Sequence, residues 1–177
     1  TALGRTGSMV RSTTVGAHAD ILCFGKGLGG GLALSACVAP DEIMQAWARA
    51  DEVVHTSTHA GSPLACCAAI ATLDALRFRR LVVRAREIGP TILEHFRTEL
   101  TGLRDVVEVR GIGLMIGIEL ASGAVGLRVS REMLARGYIV LTGGPKGEVL
   151  TLTPALNINE DRLRDAAAAL REVLSAA

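Results

Sequence analysis

Short apolar runs closed by turn residues open the chain, and longer amphipathic stretches follow. Residues 20–24 (DILCF) read as a buried strand, and 32–38 (LALSACV) as a second one after a run of glycines. Pro40-Asp41 then starts EIMQAWARA, which places Ile43, Ala46 and Trp47 on one face, as an amphipathic helix requires. Residues 56–63 (TSTHAGSP) are small and polar, a loop, and Pro63 followed by LACCAAIATLDALRF predicts a helix with proline in its first turn. Its alanines let neighbours approach closely. A further helix over 81–103 carries Val82, Val83, Ile88, Ile92, Leu93 and Phe96 among charges, and Gly89-Pro90 predicts a kink or break in it.

Beyond Val106 the period shortens again. VVEVRGIGLMIGIEL alternates as a strand interrupted by glycines, SREMLARG reads as a short helix ending at Gly137, and YIVLT and VLTLTP flank the turn TGGPKGE as strands. EDRLRDAAAALREVLSAA closes as a helix with Asn159 as its N-cap. The expected class is α/β, divided near residue 80, with an α/β portion over 1–80 and a smaller α/β unit over 81–177.

Composition narrows the partners. The chain has 177 residues, 49% of them hydrophobic and 21% charged, enough to bury a core. Its net charge of +1, with acids and bases interspersed, offers no basic stripe for nucleic acid. No run of about 18 apolar residues predicts a membrane span, and TALGRTGSMVR has neither the basic nor the apolar segment of a secretion signal. The four cysteines, Cys23, Cys37, Cys66 and Cys67, lack C-x-x-C spacing and fall in apolar stretches, which predicts free thiols in a reducing cytoplasm. The first residues read as the middle of a longer sequence, so an upstream segment is expected.

Candidate chemistry centres on GKGLGGG at 25–31, where Lys26 follows a strand inside a nest of glycines. Gly25, Gly27 and Gly30 satisfy G-x-G-x-x-G, with Asp51 or Glu52 about 20 residues on, yet that dinucleotide fingerprint needs a helix to open within the loop. A strand-like run follows instead. A Walker loop lacks its Ser/Thr after Lys26 and has Asp20 in place of its first glycine. The third reading makes Lys26 a partly desolvated amine, a nucleophile for a carbonyl, with the glycines giving a flat ring access to the backbone. A plain surface lysine in a flexible turn is the competing account.

Several stretches together resemble the class III, or ω-type, pyridoxal-phosphate aminotransferases of fold type I. GRTG (4–7), ADILCFGKGLGGG (19–31), TSTHAGSP (56–63), VRGIGLMIGIEL (109–120) and LTLTPAL (150–156) occur in that family's order and at about its spacing. The resemblance covers the C-terminal half of such an enzyme. It implies that residues 1–80 are the C-terminal part of the cofactor-binding large domain and 81–177 a small domain with its connecting helix. Lys26 matches the lysine that forms the Schiff base with pyridoxal 5'-phosphate and then moves a proton as general base. Thr58, with Ser57 beside it, matches the phosphate contact made across a homodimer with a shared active site. The implied activity is amino transfer between an amine or amino acid and an oxo acid or aldehyde. An aminomutase or decarboxylase of the same fold uses the same lysine, and a split, non-catalytic half acting only with a complementary chain is the alternative of another class.

Two departures bear on that expectation. The acidic segment that usually precedes GRTG and pairs with the pyridine nitrogen falls before Thr1. Thr151 and Pro154-Ala155 stand where the family commonly has an arginine and a Pro-Pro pair. That arginine grips the substrate α-carboxylate, and a hydroxyl in its place forfeits roughly 1.5–3 kcal/mol unless Lys146 or Arg110 takes over. Ser62 also replaces a frequent asparagine. The remaining patterns read as structural: His55 and His59 are an i, i+4 pair on a loop without a third metal ligand, and no G-x-S-x-G occurs. Arg77, Arg79, Arg80, Arg84 and Arg86 read as a solvated face or a contact, and Gly111 and Gly113 as points of close packing where the small unit meets the large one.

Overall fold

The computed structural model describes residues 3–47 and 57–176. The chain divides into two compact units, Thr1–Gly4 with Ser8–Arg80, and Arg5–Gly7 with Leu81–Ala177. The first contains α1 (Arg11–Thr14), β1 (Leu22–Phe24), a 3-10 turn at Lys26–Gly29, β2 (Ala36–Val38), α2 (Asp41–Met44) running into a 3-10 turn at Gln45–Trp47, and α3 (Pro63–Phe78). β1 and β2 pair antiparallel, with Leu22 opposite Val38, Cys23 opposite Cys37 and Phe24 opposite Ala36.

This ribbon is shorter than the predicted runs, and it is not buried. Among the described residues no third strand joins it and no layer covers both faces, so Ile21, Cys23 and Val38 are exposed. The cysteines likewise depart from expectation: all four are free, but Cys23, Cys37 and Cys67 are exposed and Cys66 is half-buried. Over 41–47 the expected helix is two short turns with Ala46 and Trp47 exposed rather than on a buried face, and residues 48–50 of that stretch lie outside the described residues. α1 escaped prediction because it is held locally: Thr13 Oγ1 donates to Val10 O at 2.8 Å and Thr14 Oγ1 to Arg11 O at 2.8 Å. Such side-chain bonds leave no hydrophobic period.

The second unit contains α4 (Leu81–Leu100), β3 (Val106–Ile112), β4 (Met115–Leu120), α5 (Gly123–Ala135), β5 (Leu141–Gly143), β6 (Val149–Leu152) and α6 (Glu160–Ser175). Its sheet has the order β3-β4-β6-β5, antiparallel throughout. Alternation along β4 sends Ile116, Ile118 and Leu120 into the core, where they meet Ile92 and Phe96 of α4, Val129 and Met133 of α5, and Leu163, Leu170 and Val173 of α6. Three expectations change here. The single glycine-interrupted strand is a hairpin turning at Gly113, whose φ is +56°. α5 starts earlier than SREMLARG, because the Ser122 hydroxyl accepts from the Val125 N–H at 3.3 Å and caps it. α4 continues through Pro90. Buried side chains on both sides of the proline, Ala85 before it and Ile92, Leu93 and Phe96 after it, offset the one missing backbone bond. Asn159 caps α6 as predicted, accepting from the Asp161 N–H at 2.8 Å.

The tripeptide Arg5–Gly7 is built into this unit. Leu114 N–H donates to Arg5 O at 2.9 Å, and the Arg5 guanidinium donates to Leu114 O at 3.2 Å and Pro154 O at 2.5 Å. Burial pulls the pKa of Arg5 below its ordinary value. Part of the basic run works the same way: Arg86 Nε donates to Gly7 O at 2.8 Å, and Arg84 reaches Leu156 O and Ile158 O at 2.8 and 2.7 Å. These arginines secure backbone carbonyls rather than forming a solvated face. Gly113 lies against the backbone of Arg5, Thr6 and Gly7, and a Cβ on Gly89 would fall 2.6 Å from Gly113 Cα. Gly111 packs on its own hairpin, where a Cβ would stand 2.7 Å from Met115 O. Both glycines therefore serve contacts within the second unit.

Gly113→Ala is expected to cost about 2–3 kcal/mol of unfolding free energy, since it combines left-handed strain with backbone overlap. Gly102 has φ +78° but open space around it, so Gly102→Ala should cost only the strain, about 1–2 kcal/mol. Urea unfolding followed by circular dichroism checks the difference; equal losses would remove the close contact as the cause.

Candidate active site

β1 ends at Phe24, and Gly25 after it is extended at φ −163°. Lys26 follows with φ +49°, one of two non-glycine residues with positive φ among the described residues. A side chain held in that region carries strain of about 1–2 kcal/mol, which the surrounding fold must offset. The offset comes from the turn itself: Leu28 N–H donates to Gly25 O at 3.1 Å, Gly30 N–H to Gly27 O at 3.3 Å and Leu32 N–H to Gly29 O at 3.0 Å. Leu28 and Gly29 are buried, and the turn packs on α3, whose buried positions include Ala65 and Ala69. Gly30, at φ +59°, comes closest. A Cβ there would sit 2.5 Å from Thr72 Oγ1 and 3.6 Å from Ala68 O.

Lys26 itself is exposed rather than partly desolvated, at the wall of an open hollow of about 680 Å³. Leu32, Ala33, Leu34 and Ser35 form one side of this hollow, and Ser57, His59, Ala60 and Gly61 another. The structure thus brings Lys26 and Ser57 to one cavity. Thr58 lies in the adjoining turn, exposed and not lining it. Ser35 is a lining group that sequence reasoning missed, and His59, weighed there only as half of a metal pair with His55, lines the hollow as well. The other member of the histidine pair, His55, lies outside the described residues, as do Asp51 and Glu52. Among the described residues no three His, Cys, Asp or Glu side chains gather as a metal site.

Thr151 belongs to the second unit. It lies on β6, opposite Gly117 of β4 and Leu141 of β5, and lines a separate, mainly apolar hollow of about 550 Å³ with Tyr138, Ile139, Thr153 and Pro154 among others. Arg110 stands opposite Gly117 on the far side, so one row across the sheet runs Arg110, Gly117, Thr151, Leu141. The guanidinium is already engaged: its NH1 donates to Glu119 Oε2 at 2.5 Å and Glu108 Oε2 at 2.6 Å. Those two bonds push the pKa of Arg110 above its ordinary value. It is not a free substitute for an arginine at 151. Lys146 is exposed in the β5–β6 turn, where its backbone N–H donates to Glu148 Oε2 at 2.8 Å.

An amine in a strained glycine turn thus stands beside a hydroxyl-bearing loop that leads into a helix. Comparison with known proteins bears on what uses it. The family model for aminotransferase class-III matches residues 1–174.

The chain belongs to the class-III aminotransferase family.

It is 36% identical over 176 residues to the acetylornithine aminotransferase of Methanothermobacter thermautotrophicus, covering 99% of this chain and 43% of that protein. Against ornithine aminotransferase 1 of Staphylococcus saprophyticus it is 36% identical over 173 residues, covering 97% and 42%. Among solved structures, the ornithine aminotransferase of Plasmodium yoelii superposes with a TM-score of 0.88 at 28% identity, over 98% of this chain and 45% of that one. The chain therefore spans less than half the length of these class-III aminotransferases, and its α/β architecture is theirs over that part.

Gly30→Ala is expected to lower stability by about 2–3 kcal/mol, from left-handed strain plus overlap with Thr72 Oγ1. The double variant Gly30→Ala with Thr72→Ala should recover the overlap and leave about 1–2 kcal/mol of strain. Urea unfolding of wild type, both single variants and the double variant tests this; strict additivity would show that Thr72 is not what restricts residue 30.

Proposed function

We propose that this chain is the C-terminal part of a pyridoxal-phosphate-dependent aminotransferase, moving an amino group between an amine or amino acid and an oxo acid or aldehyde, with Lys26 as the covalent anchor. The observation that carries the reading is Lys26 in a left-handed turn at a strand end, facing a hollow shared with Ser57. The division follows from the same reading: residues 1–80 belong to the cofactor-binding large domain and 81–177 to the small domain.

The residues of the hollow suit such a cofactor. A space of about 680 Å³ lies within the range of small-ligand sites, and Leu32, Ala33 and Leu34 offer an apolar wall for a flat ring. Hydroxyls and turn amides at Ser57 and Thr58, ahead of the proline-started α3, offer donors for a phosphate. In the proposed homodimer Thr58 serves the partner subunit's site, which accords with its not lining the hollow that holds Lys26. Pyridoxal phosphate, when bound, supplies an aldehyde for the Lys26 amine and a ring that withdraws electrons from the substrate carbon. With the cofactor bound, Lys26 Nζ would be the base placed to take the proton from the substrate carbon that bears the amino group.

The names of the relatives point to diamino acid substrates such as ornithine and its acetylated form, with an oxo acid as acceptor. Thr151 weakens the hold on one carboxylate relative to an arginine. A cytoplasmic location fits the four free cysteines. No helix among the described residues is long and apolar enough to cross a membrane.

Incubation of the chain with pyridoxal phosphate, borohydride reduction and peptide mass spectrometry should locate a stable adduct on Lys26 that Lys26→Ala abolishes. An adduct spread over surface lysines, unchanged in Lys26→Ala, would defeat the assignment. In the complete enzyme carrying this chain, Thr151→Arg is expected to lower KM for an oxo acid about tenfold or more relative to an aldehyde acceptor, the size of a gained charge-assisted bond. Steady-state kinetics with an oxo acid and with an aldehyde acceptor measure it, and an unchanged KM ratio would remove residue 151 from carboxylate recognition.

A further inference from the structure

Two of the exposed cysteines face each other. Cys23 on β1 and Cys37 on β2 are direct partners in the antiparallel register, so their side chains leave the same face of the ribbon. Antiparallel partners have Cα atoms about 4.5–5.5 Å apart, inside the roughly 4.4–6.8 Å that a disulfide bridges. Both are free and exposed. The Cys37 thiol is pushed above its ordinary pKa by desolvation, by a hydrogen bond with Cys23 and by that neighbour's charge.

We propose that Cys23 and Cys37 form a reversible dithiol–disulfide pair, closed by a peroxide and reopened by a small-molecule thiol. One thiolate attacks a peroxide oxygen, the O–O bond breaks, and a sulfenic acid and one water result. The second thiolate then attacks that sulfur, the S–S bond forms, the S–O bond breaks and a second water leaves. Two electrons pass from the sulfur pair to the peroxide, and the two thiol protons end in the waters. Cys66 and Cys67 provide an internal control, because adjacent residues on α3 do not face one another.

Position gives the pair a consequence that does not depend on any cofactor. Cys23 precedes Lys26 by three residues, and Cys37 follows Leu32–Ser35, which form one wall of the same hollow. Closing the bond ties both ends of segment 24–36 and restricts the turn that carries Lys26.

The test treats the dilute chain with hydrogen peroxide, quenches with catalase, alkylates remaining thiols with iodoacetamide and maps peptides by mass spectrometry. The expected product joins the Cys23 and Cys37 peptides with a mass about 2 Da below their sum, the two lost thiol hydrogens. Cys66 and Cys67 should remain alkylated, dithiothreitol should restore both thiols, and amide exchange over 25–35 should slow in the oxidised form. Cys23→Ser should leave Cys37 unpaired in the same treatment. Full alkylation of Cys23 and Cys37, sulfinic acids on separate sulfurs, or linkage to Cys66, Cys67 or a second chain would each overturn the proposal.

Discussion

Backbone-to-helix contact at Gly30 is the constraint on which the Lys26 site rests. The turn from Gly25 to Gly31 lies on α3 so closely that a single added methyl at residue 30 would meet Thr72. That proximity buries Leu28 and Gly29 and closes the short hydrogen bonds of the turn. With the turn fixed, Lys26 can be held at a positive φ that a free loop would relax out of. An ammonium group in a flexible glycine loop would sample many positions. Here the glycines do the opposite of adding freedom, because they permit a contact that removes it.

The second unit uses the same device at a different place. Gly89 on α4 and Gly113 at the hairpin tip bring two backbones together, and Arg5–Gly7 lies against the second of them. Hydrogen bonds from Arg5 to Leu114 O and Pro154 O, and from Arg86 to Gly7 O, then satisfy carbonyls that this crowding would strand from water. A half-buried guanidinium costs free energy unless its donors are used. Arg5 spends its donors on two carbonyls, one at the hairpin tip and one just beyond β6, which cross-braces the sheet at one end.

The helices were legible wherever a buried stripe or a cap defined them: α3 from Pro63, α4 from its apolar face, α6 from Asn159 onward. The hairpin at Gly113 was read as one strand because both of its arms alternate with the same period, and the turn depends on a close approach that pattern alone does not encode. The placement of Arg5–Gly7 in the second unit was invisible for a related reason. Its bonds span 109 and 149 positions of sequence. Lys26 stood out as soon as the glycines were read. Its companion Ser35 did not, since a serine after a strand-like run carries no spacing signal, and the i, i+4 spacing of His59 to His55 pointed to a metal pair rather than to this hollow. The cysteine pair needed the register, because separation by 14 positions says nothing until β1 and β2 are set opposite one another.

Under the proposed function, charge on the open face of the second sheet bears on substrate choice. Thr151 sits in one cross-strand row with Arg110, and Gly117 between them contributes no side chain. A carboxylate arriving at Thr151 would find a hydroxyl donor and, beyond the glycine, a guanidinium. That guanidinium faces two carboxylates of its own, so Arg110, Glu108 and Glu119 together present one cation against two anions. Exposed pairs of this kind add little stability, but their net sign still acts on a charged ligand nearby. A dianionic oxo acid has the most to lose at such a face, and an acceptor without a carboxylate the least. Replacing the family's arginine by Thr151 therefore shifts preference by subtraction, through a contact withheld from one class of acceptor rather than one added for another.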